Sequence, residues 1–409
     1  MAGNDGAAPM SGNDAFWLTD LYPDAAALFQ HQQASLGEIS EKCVVALDAN
    51  VLLWPFELGA ASVEDIAKLY KKLAGEGRLI VPAQAAREFY KHRSRKVAAL
   101  TEAIDGVIQK AKRAPLENAI PLLSNDADYQ AAQELNAQIV NAGKEMAKRL
   151  LAASERLKEQ IGSDRISLIY RNALSDCVVD IPQGPEERKA IIDEAGRRAR
   201  LQIAPGYKDQ NKEDGGLGDL IIWMTILQEG AARKADCIFV TNEEKSDWWV
   251  KSRGAFQPRP ELIEEYRRQS KGRSIHFLPL SGLLAHFKAS QETVDEVQKL
   301  EEVSRSERQG ATIIRLRNII AERMQKKRDL TAKLQHLDAE IELLRNRINS
   351  EDPAALSPQE WGMLSSMEAE RSAVADKLKE IEEIQKNMWS SKLTDDELRK
   401  SLLGHPKLF

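Results

Sequence analysis

Cys43-Val44-Val45-Ala46-Leu47-Asp48-Ala49-Asn50 is a continuous apolar run that closes on an acid. A run without polar alternation reads as a strand covered on both faces, as in a parallel sheet. In open α/β sheets the chemistry lies just past the carboxyl ends of the strands. Asp48 stands at that point. A carboxylate leaving a dry strand can hold a metal, hydrogen-bond a turn or cap the next helix.

Three more short apolar runs read as strands: Arg78-Leu79-Ile80-Val81-Pro82, Cys237-Ile238-Phe239-Val240-Thr241 and Ser274-Ile275-His276-Phe277-Leu278. Helical patterns lie between them. One runs over about 63–73 and stops near Gly75 and Gly77. Another opens at Pro82 and carries Glu88. A third opens at Asp219 and continues through Leu220, Ile221, Ile222, Trp223, Ile226 and Leu227. The alternation predicts an α/β fold with a central parallel sheet. Residues from about 91 to 203 read as a large, almost wholly helical insertion, followed by a Gly/Asp/Lys loop over 204–218.

The chain has 409 residues, room for two or three domains. Residues 1–14, rich in Gly, Asn and Ala, read as a disordered N-terminus with no basic secretion signal. Residues 15–288 form the α/β domain. Residues 289–409 form a helical coiled-coil region. Within it, Leu330, Leu334, Leu337, Ile341, Leu344 and Ile348 alternate steps of four and three. Pro353 breaks the helix. A second seam follows at Leu364, Met367, Val374, Leu378 and Ile381, with Arg371 in one slot. The pattern predicts an antiparallel hairpin. Such a hairpin supports a homo-oligomer, docks a protein partner or packs on its own domain.

The net charge is -5, so any nucleic-acid surface must be local. The three cysteines are far apart and fit neither a zinc site nor a disulfide framework. A reducing, cytoplasmic setting is therefore expected. No apolar run approaches the roughly 18 residues of a membrane span.

Acids recur at the ends of elements: Asp48, Glu88, Asp219, and then Glu243, Glu244 and Asp247 after the strand that ends at Thr241. A parallel sheet can bring these ends to one edge. Carboxylates gathered there repel one another unless a divalent cation neutralises them. Oxygen donors without His or Cys suit Mg²⁺ or Mn²⁺. Such ions activate water and stabilise the leaving oxygen in phosphodiester cleavage.

With these residues in order, the chain resembles the PIN-like domain nucleases. The matching stretches are Val45 to Leu52, Ile80-Val81-Pro82 with Glu88, Gly218 to Ile222, and Phe239 to Glu243. Pro205-Gly206-Tyr207-Lys208-Asp209 and Lys245-Ser246-Asp247-Trp248-Trp249 resemble a bacterial subgroup with a helical insertion. The resemblance implies a three-layer fold over about 15–285 and metal-dependent hydrolysis of RNA, favoured over DNA. It implies that Asp48, Glu88 and Asp219 are metal-binding acids. It implies supporting roles for Asn50 and Thr241. The fourth acid is Glu243 or Asp247, because Asn242 occupies a slot that carries an acid in the subgroup. A cell must restrain such an enzyme, so the hairpin suits control by a partner or by assembly, as in a toxin or an anti-phage effector.

Lys91, Arg93, Arg95 and Lys96 follow Glu88 and are candidates to hold the phosphate backbone. The groups Arg197, Arg198, Arg200 and Arg267, Arg268, Lys271, Arg273 read as solvated helix faces. Trp248 and Trp249 read as packing residues rather than base-stacking ones. Asp209 and Asp214 read as loop acids. A haloacid dehalogenase-type phosphatase also starts with an acid after a buried strand, but it needs a second Asp two residues on, where this chain has Asn50. The other reading is a PIN-like nucleic-acid-binding or scaffold protein of weak or no activity, acting through its coiled coil.

Overall fold

A computed structural model describes residues 14–30, 32–112, 120–159, 164–209, 215–252, 255–350 and 358–389. Residues 1–13, Asp214 and Pro353 lie outside these. The contacts divide the chain into two units, Met1–Glu301 and Glu302–Phe409.

The first unit is built on strands β1 (Val44–Leu47), β2 (Leu79–Pro82), β3 (Val178–Val179), β4 (Cys237–Val240) and β7 (Ile275–Leu278). They form one parallel sheet in the order β3-β2-β1-β4-β7. β5 (Trp249–Ser252) and β6 (Ala255–Pro258) pair antiparallel as a separate ribbon. Every residue of β1, β2 and β4 is buried, which is why these strands read as unbroken apolar runs.

The insertion is not wholly helical. The helices Ala83–Ala111, Ala127–Glu159, Arg165–Leu174 and Pro185–Leu201 are interrupted by β3, which returns to the sheet beside β2. Two residues at a sheet edge are too short to show a period of two, so the sequence pattern hides them. The β5–β6 ribbon was likewise not anticipated.

The order of strands fixes where a site can form. From β1 the chain steps to β2 and β3 on one side, then returns to β4 on the other. The switch point is therefore between β1 and β4, and the crevice opens at their carboxyl ends. Those ends carry Asp48 and Thr241.

Helix Leu217–Arg233 packs against helix Pro260–Gln269 through a glycine. A Cβ on Gly230 would sit 2.7 Å from the ring of Tyr266. That tyrosine is fully buried, and its hydroxyl donates to the Ala235 carbonyl at 2.8 Å. Gly230→Ala gains about 1 kcal/mol of helix propensity but meets a ring that cannot retreat. We expect a net loss of about 1–2 kcal/mol by urea denaturation, since overpacking typically costs about 1–3 kcal/mol. An unchanged midpoint and slope would show that the interface yields.

The first unit extends into the long helix Gln291–Ser350, past the expected boundary at 288. Val294 and Val297 belong to the main core. Glu296 accepts from Gly59 N at 2.8 Å and from the Ser62 hydroxyl, satisfying the N-terminus of helix Ala60–Gly75. Glu301 does the same for helix Leu280–His286, accepting from Ser281 N at 3.1 Å and Ser281 Oγ at 2.6 Å.

The second unit pairs the remainder of helix Gln291–Ser350 with helix Pro358–Trp389. Leu337, Val374 and Leu378 are buried between them, flanked by Leu330, Leu334 and Met367. Lys327 pairs with Glu382 at 2.9 Å, Asp338 with Arg371, and Arg345 with Glu368 at 2.5 Å. One set of numbers rises as the other falls, so the helices are antiparallel. Arg371 leaves the apolar seam to make its ion pair. No helix of the described residues is long and apolar enough to cross a membrane.

Candidate active site

Asp48 follows β1 as the N-cap of helix Ala49–Leu53. Its Oδ1 accepts from Ala49 N at 2.7 Å. Its Oδ2 accepts from Thr241 Oγ1 at 2.6 Å and Asn50 Nδ2 at 2.8 Å. Thr241 is joined to Asp48 across the β1–β4 crevice by tertiary structure alone. Its hydroxyl also accepts from Glu243 N at 3.0 Å and Asn50 Nδ2 at 3.3 Å, so its one donor and both lone pairs are used. Asn50 Oδ1 accepts from Asn242 N at 3.1 Å. Asn50 thus ties the residues after β1 to those after β4.

Burial pushes Asp48 up to about 6, with the Glu243 and Glu88 carboxylates adding to it against the Thr241 and Ala49 hydrogen bonds. Glu88, on helix Ala83–Ala111, accepts from Gln84 Nε2 at 2.9 Å. Asp219, in the first turn of helix Leu217–Arg233, is held well above the usual carboxylate range. Burial is the main cause; Asp48, Glu243 and Asp209 also raise it, and Lys245 opposes them.

Lys245 lies among these acids. Its Nζ is 2.7 Å from Asp209, 2.9 Å from Glu243 and 3.6 Å from Asp219. Burial disfavours its charge, yet Asp219, Glu243 and Asp209 outweigh that and hold the ammonium above the ordinary lysine range. Asp219 Oδ2 is buried and accepts no hydrogen bond.

A family model described as a PIN-like domain matches residues 44–262, more than half of the chain. The chain belongs to the PIN-like domain family. No curated protein and no solved structure matches it. Such domains are generally nucleases, and the matched segment contains every acid of the cluster.

The donors of this PIN-like site are all carboxylate oxygens. Among the described residues, no group of three or more His, Cys, Asp or Glu is arranged to hold a metal ion. Asp209, Asp219 and Glu243 are instead spread around the Lys245 ammonium. The donor set nevertheless fits a hard divalent cation. It is oxygen-only, neighbouring carboxylates raise the proton affinity of both Asp48 and Asp219, and one buried Asp219 oxygen lacks a hydrogen bond.

Asp247 takes another place. It is fully buried, and its Oδ2 accepts from Gly206 N at 3.1 Å and Lys208 N at 3.4 Å. Tyr207 Oη donates to the Ser246 carbonyl at 3.3 Å, and Arg259 Nε to the same oxygen at 2.8 Å. The Pro205–Asp209 and Lys245–Trp249 stretches therefore dock on each other, with Asp247 as the anchor. Glycines make this possible. Gly206 and Gly216 have φ of +91° and +82°, and a Cβ on Gly216 would lie 2.6 Å from the Gly206 carbonyl.

Glu243 curls onto its own loop, accepting from Glu244 N at 2.8 Å and Lys245 N at 3.0 Å. Trp249 Nε1 holds the Glu243 carbonyl at 2.6 Å. Trp248 packs in the core among Trp223, Phe239 and Phe277.

Of the basic candidates, Lys91 and Arg95 are exposed. Arg93 donates to Ser167 at 3.1 Å and lies over the Tyr90 ring, and Lys96 pairs with Glu57. Arg198 is not a solvated residue: it is buried and bound to Glu194 and Glu265. Sequence reading passed over Asp209 and Lys245 as site residues. The available signal was that each lies in one of the two stretches that set this subgroup apart.

Proposed function

We propose that this protein is a Mg²⁺- or Mn²⁺-dependent endonuclease, with RNA favoured over DNA as substrate. The observation that carries the reading is the meeting of Asp48 and Asp219 with Glu243 at the β1–β4 switch point, where Glu243 raises the proton affinity of both aspartates and Asp48 that of Asp219. Asp48 and Asp219 would hold the ion, with Glu88 and Glu243 beside them. The ion would supply an activated water and charge for the leaving oxygen. Thr241 and Asn50 fix the Asp48 carboxylate through hydrogen bonds to its Oδ2. Glu88 would complete the shell and help orient a water. Lys91 and Arg95, beyond Glu88 on the same helix, would steer the polyanion towards an otherwise acidic centre. A role in a toxin or anti-phage system would follow if a partner or assembly through the hairpin restrains the activity.

The test uses the full chain with single-stranded RNA, single-stranded DNA and duplex DNA, each with Mn²⁺ or with EDTA. Cleavage of RNA that needs Mn²⁺ is expected. Cleavage persisting in EDTA would overturn the metal dependence. Binding of nucleic acid without cleavage would favour the scaffold reading, to which the central lysine among the acids also points.

A further inference from the structure

We propose that the Lys245 ammonium and the divalent ion are alternative occupants of the carboxylate cluster, so that loading requires the lysine side chain to swing out. The inference rests on the metal-dependent reading above and adds to it a restraint built into the chain itself.

Lys245 Nζ is 2.7 Å from Asp209, 2.9 Å from Glu243 and 3.6 Å from Asp219. Asp219 and Glu243 are acids that the metal-dependent reading gives to the ion. Mg²⁺ stands about 2.1 Å from a ligand oxygen, so an ion on Asp219 Oδ2 would lie within about 6 Å of Nζ. An ion on Glu243 Oε2 would lie closer still. Cations at that range repel each other in a partly buried site. The oxygens are contested as well. Glu243 Oε1 already accepts from Glu244 N and Lys245 N, which uses both of its lone pairs. The Glu243 oxygen left for an ion is Oε2, and that is the one facing the ammonium. Ion and ammonium therefore compete for one set of carboxylates.

The side chain can leave while the backbone stays. Its stem is flexible, and 30% of the side chain is exposed, which gives it a way to solvent. The main chain is pinned: Lys245 N donates to Glu243 Oε1 at 3.0 Å, and Trp248 N and Trp249 N donate to the Lys245 carbonyl at 3.0 and 3.1 Å. A displaced ammonium thus remains tethered beside the cluster and competes at a fixed effective concentration. Chelators cannot remove it. The metal-free protein is a closed form, its acids neutralised by its own side chain, and it opens only above a threshold of free divalent ion.

The experiment has two arms, both on the full-length protein after EDTA treatment and dialysis. The first is a calorimetric titration of wild type and Lys245→Met with Mn²⁺ alone. The variant is expected to bind at least about 10-fold more tightly, since one neighbouring charge changes a carboxylate's affinity for a proton by about that factor or more. The second arm is acylation of Lys245 in wild type by an N-hydroxysuccinimide ester, read by mass spectrometry. Labelling is expected to rise several-fold in Mn²⁺ over EDTA, because an ammonium held among acids is protected and a released one is not. Equal affinity in the two chains, or equal labelling with and without Mn²⁺, would overturn the competition while leaving the metal-dependent reading in place. No binding of Mn²⁺ by either chain would overturn both readings. The labelling arm decides even if the methionine variant does not fold.

Discussion

Replacing Asp48 by asparagine is expected to lower nucleic-acid cleavage at least about 100-fold, because even the outer partners of a metal ligand cost about 10–100-fold when lost. The substitution is close to isosteric. Asparagine is also among the best N-cap residues, so helix Ala49–Leu53 keeps its start. The amide can still accept from Ala49 N. What is lost is one negative charge and one lone-pair-rich oxygen at the meeting point of Thr241 and Asn50. A drop in rate with an unchanged circular dichroism spectrum is the expected pair of results. Wild-type rates in the variant would remove Asp48 from the reaction.

The second large effect concerns stability, and its sign is opposite to that of most carboxylates. Without divalent ions, Asp48 is raised from an ordinary value of 3.8 to about 6. Between those pH values the folded protein keeps a proton that the unfolded chain has released. Stability through this group is therefore fully present below pH 3.8 and is lost as pH rises through about 6. The loss amounts to roughly 3 kcal/mol. Asp180 and Glu194 are held below their ordinary range by Arg87 and by Arg197 with Arg198, and give the opposite slope. The quantity to measure is accordingly the difference between wild type and Asp48→Asn in EDTA, by urea denaturation at about pH 5 and about pH 7. The variant should gain on wild type as pH rises. A constant difference would show that Asp48 ionises normally. One substitution is thus expected to remove activity and add stability, the usual relation between a strained site and its fold.

Much of this was readable from residues alone, for reasons that can be named. β1, β2 and β4 are dry on both faces, so their sequences carry no polar interruption and end visibly at Asp48, Pro82 and Thr241. Asp219 is legible because it opens an apolar helix. Asn50 is legible because its position excludes a second aspartate. Lys245 and Asp209 have no such local mark. Their partnership depends on two loops 36 residues apart docking through Asp247, Tyr207 and Arg259, and no periodicity encodes that. Asp247 shows the same limit from the other side. Its place after β4 suggests a ligand, but the amides of Gly206 and Lys208 claim it. β3 escaped notice because two residues inside a helical insertion cannot display a strand pattern. The β5–β6 ribbon escaped because Pro258 and the adjoining charges disguise it.

The hydrogen bond from Thr241 to Asp48 spans 193 residues of chain. On a ribosome, β1, β2 and the whole insertion emerge before β4 exists. A nascent chain therefore carries Asp48 and Glu88 for a long interval without the hydroxyl that aims the first of them or the loop that brings in Glu243. The centre cannot assemble piecemeal. A product truncated just before Thr241 would carry these acids without the Asp48–Thr241 hydrogen bond, so the arrangement waits until β4 is made and the sheet can close around β1.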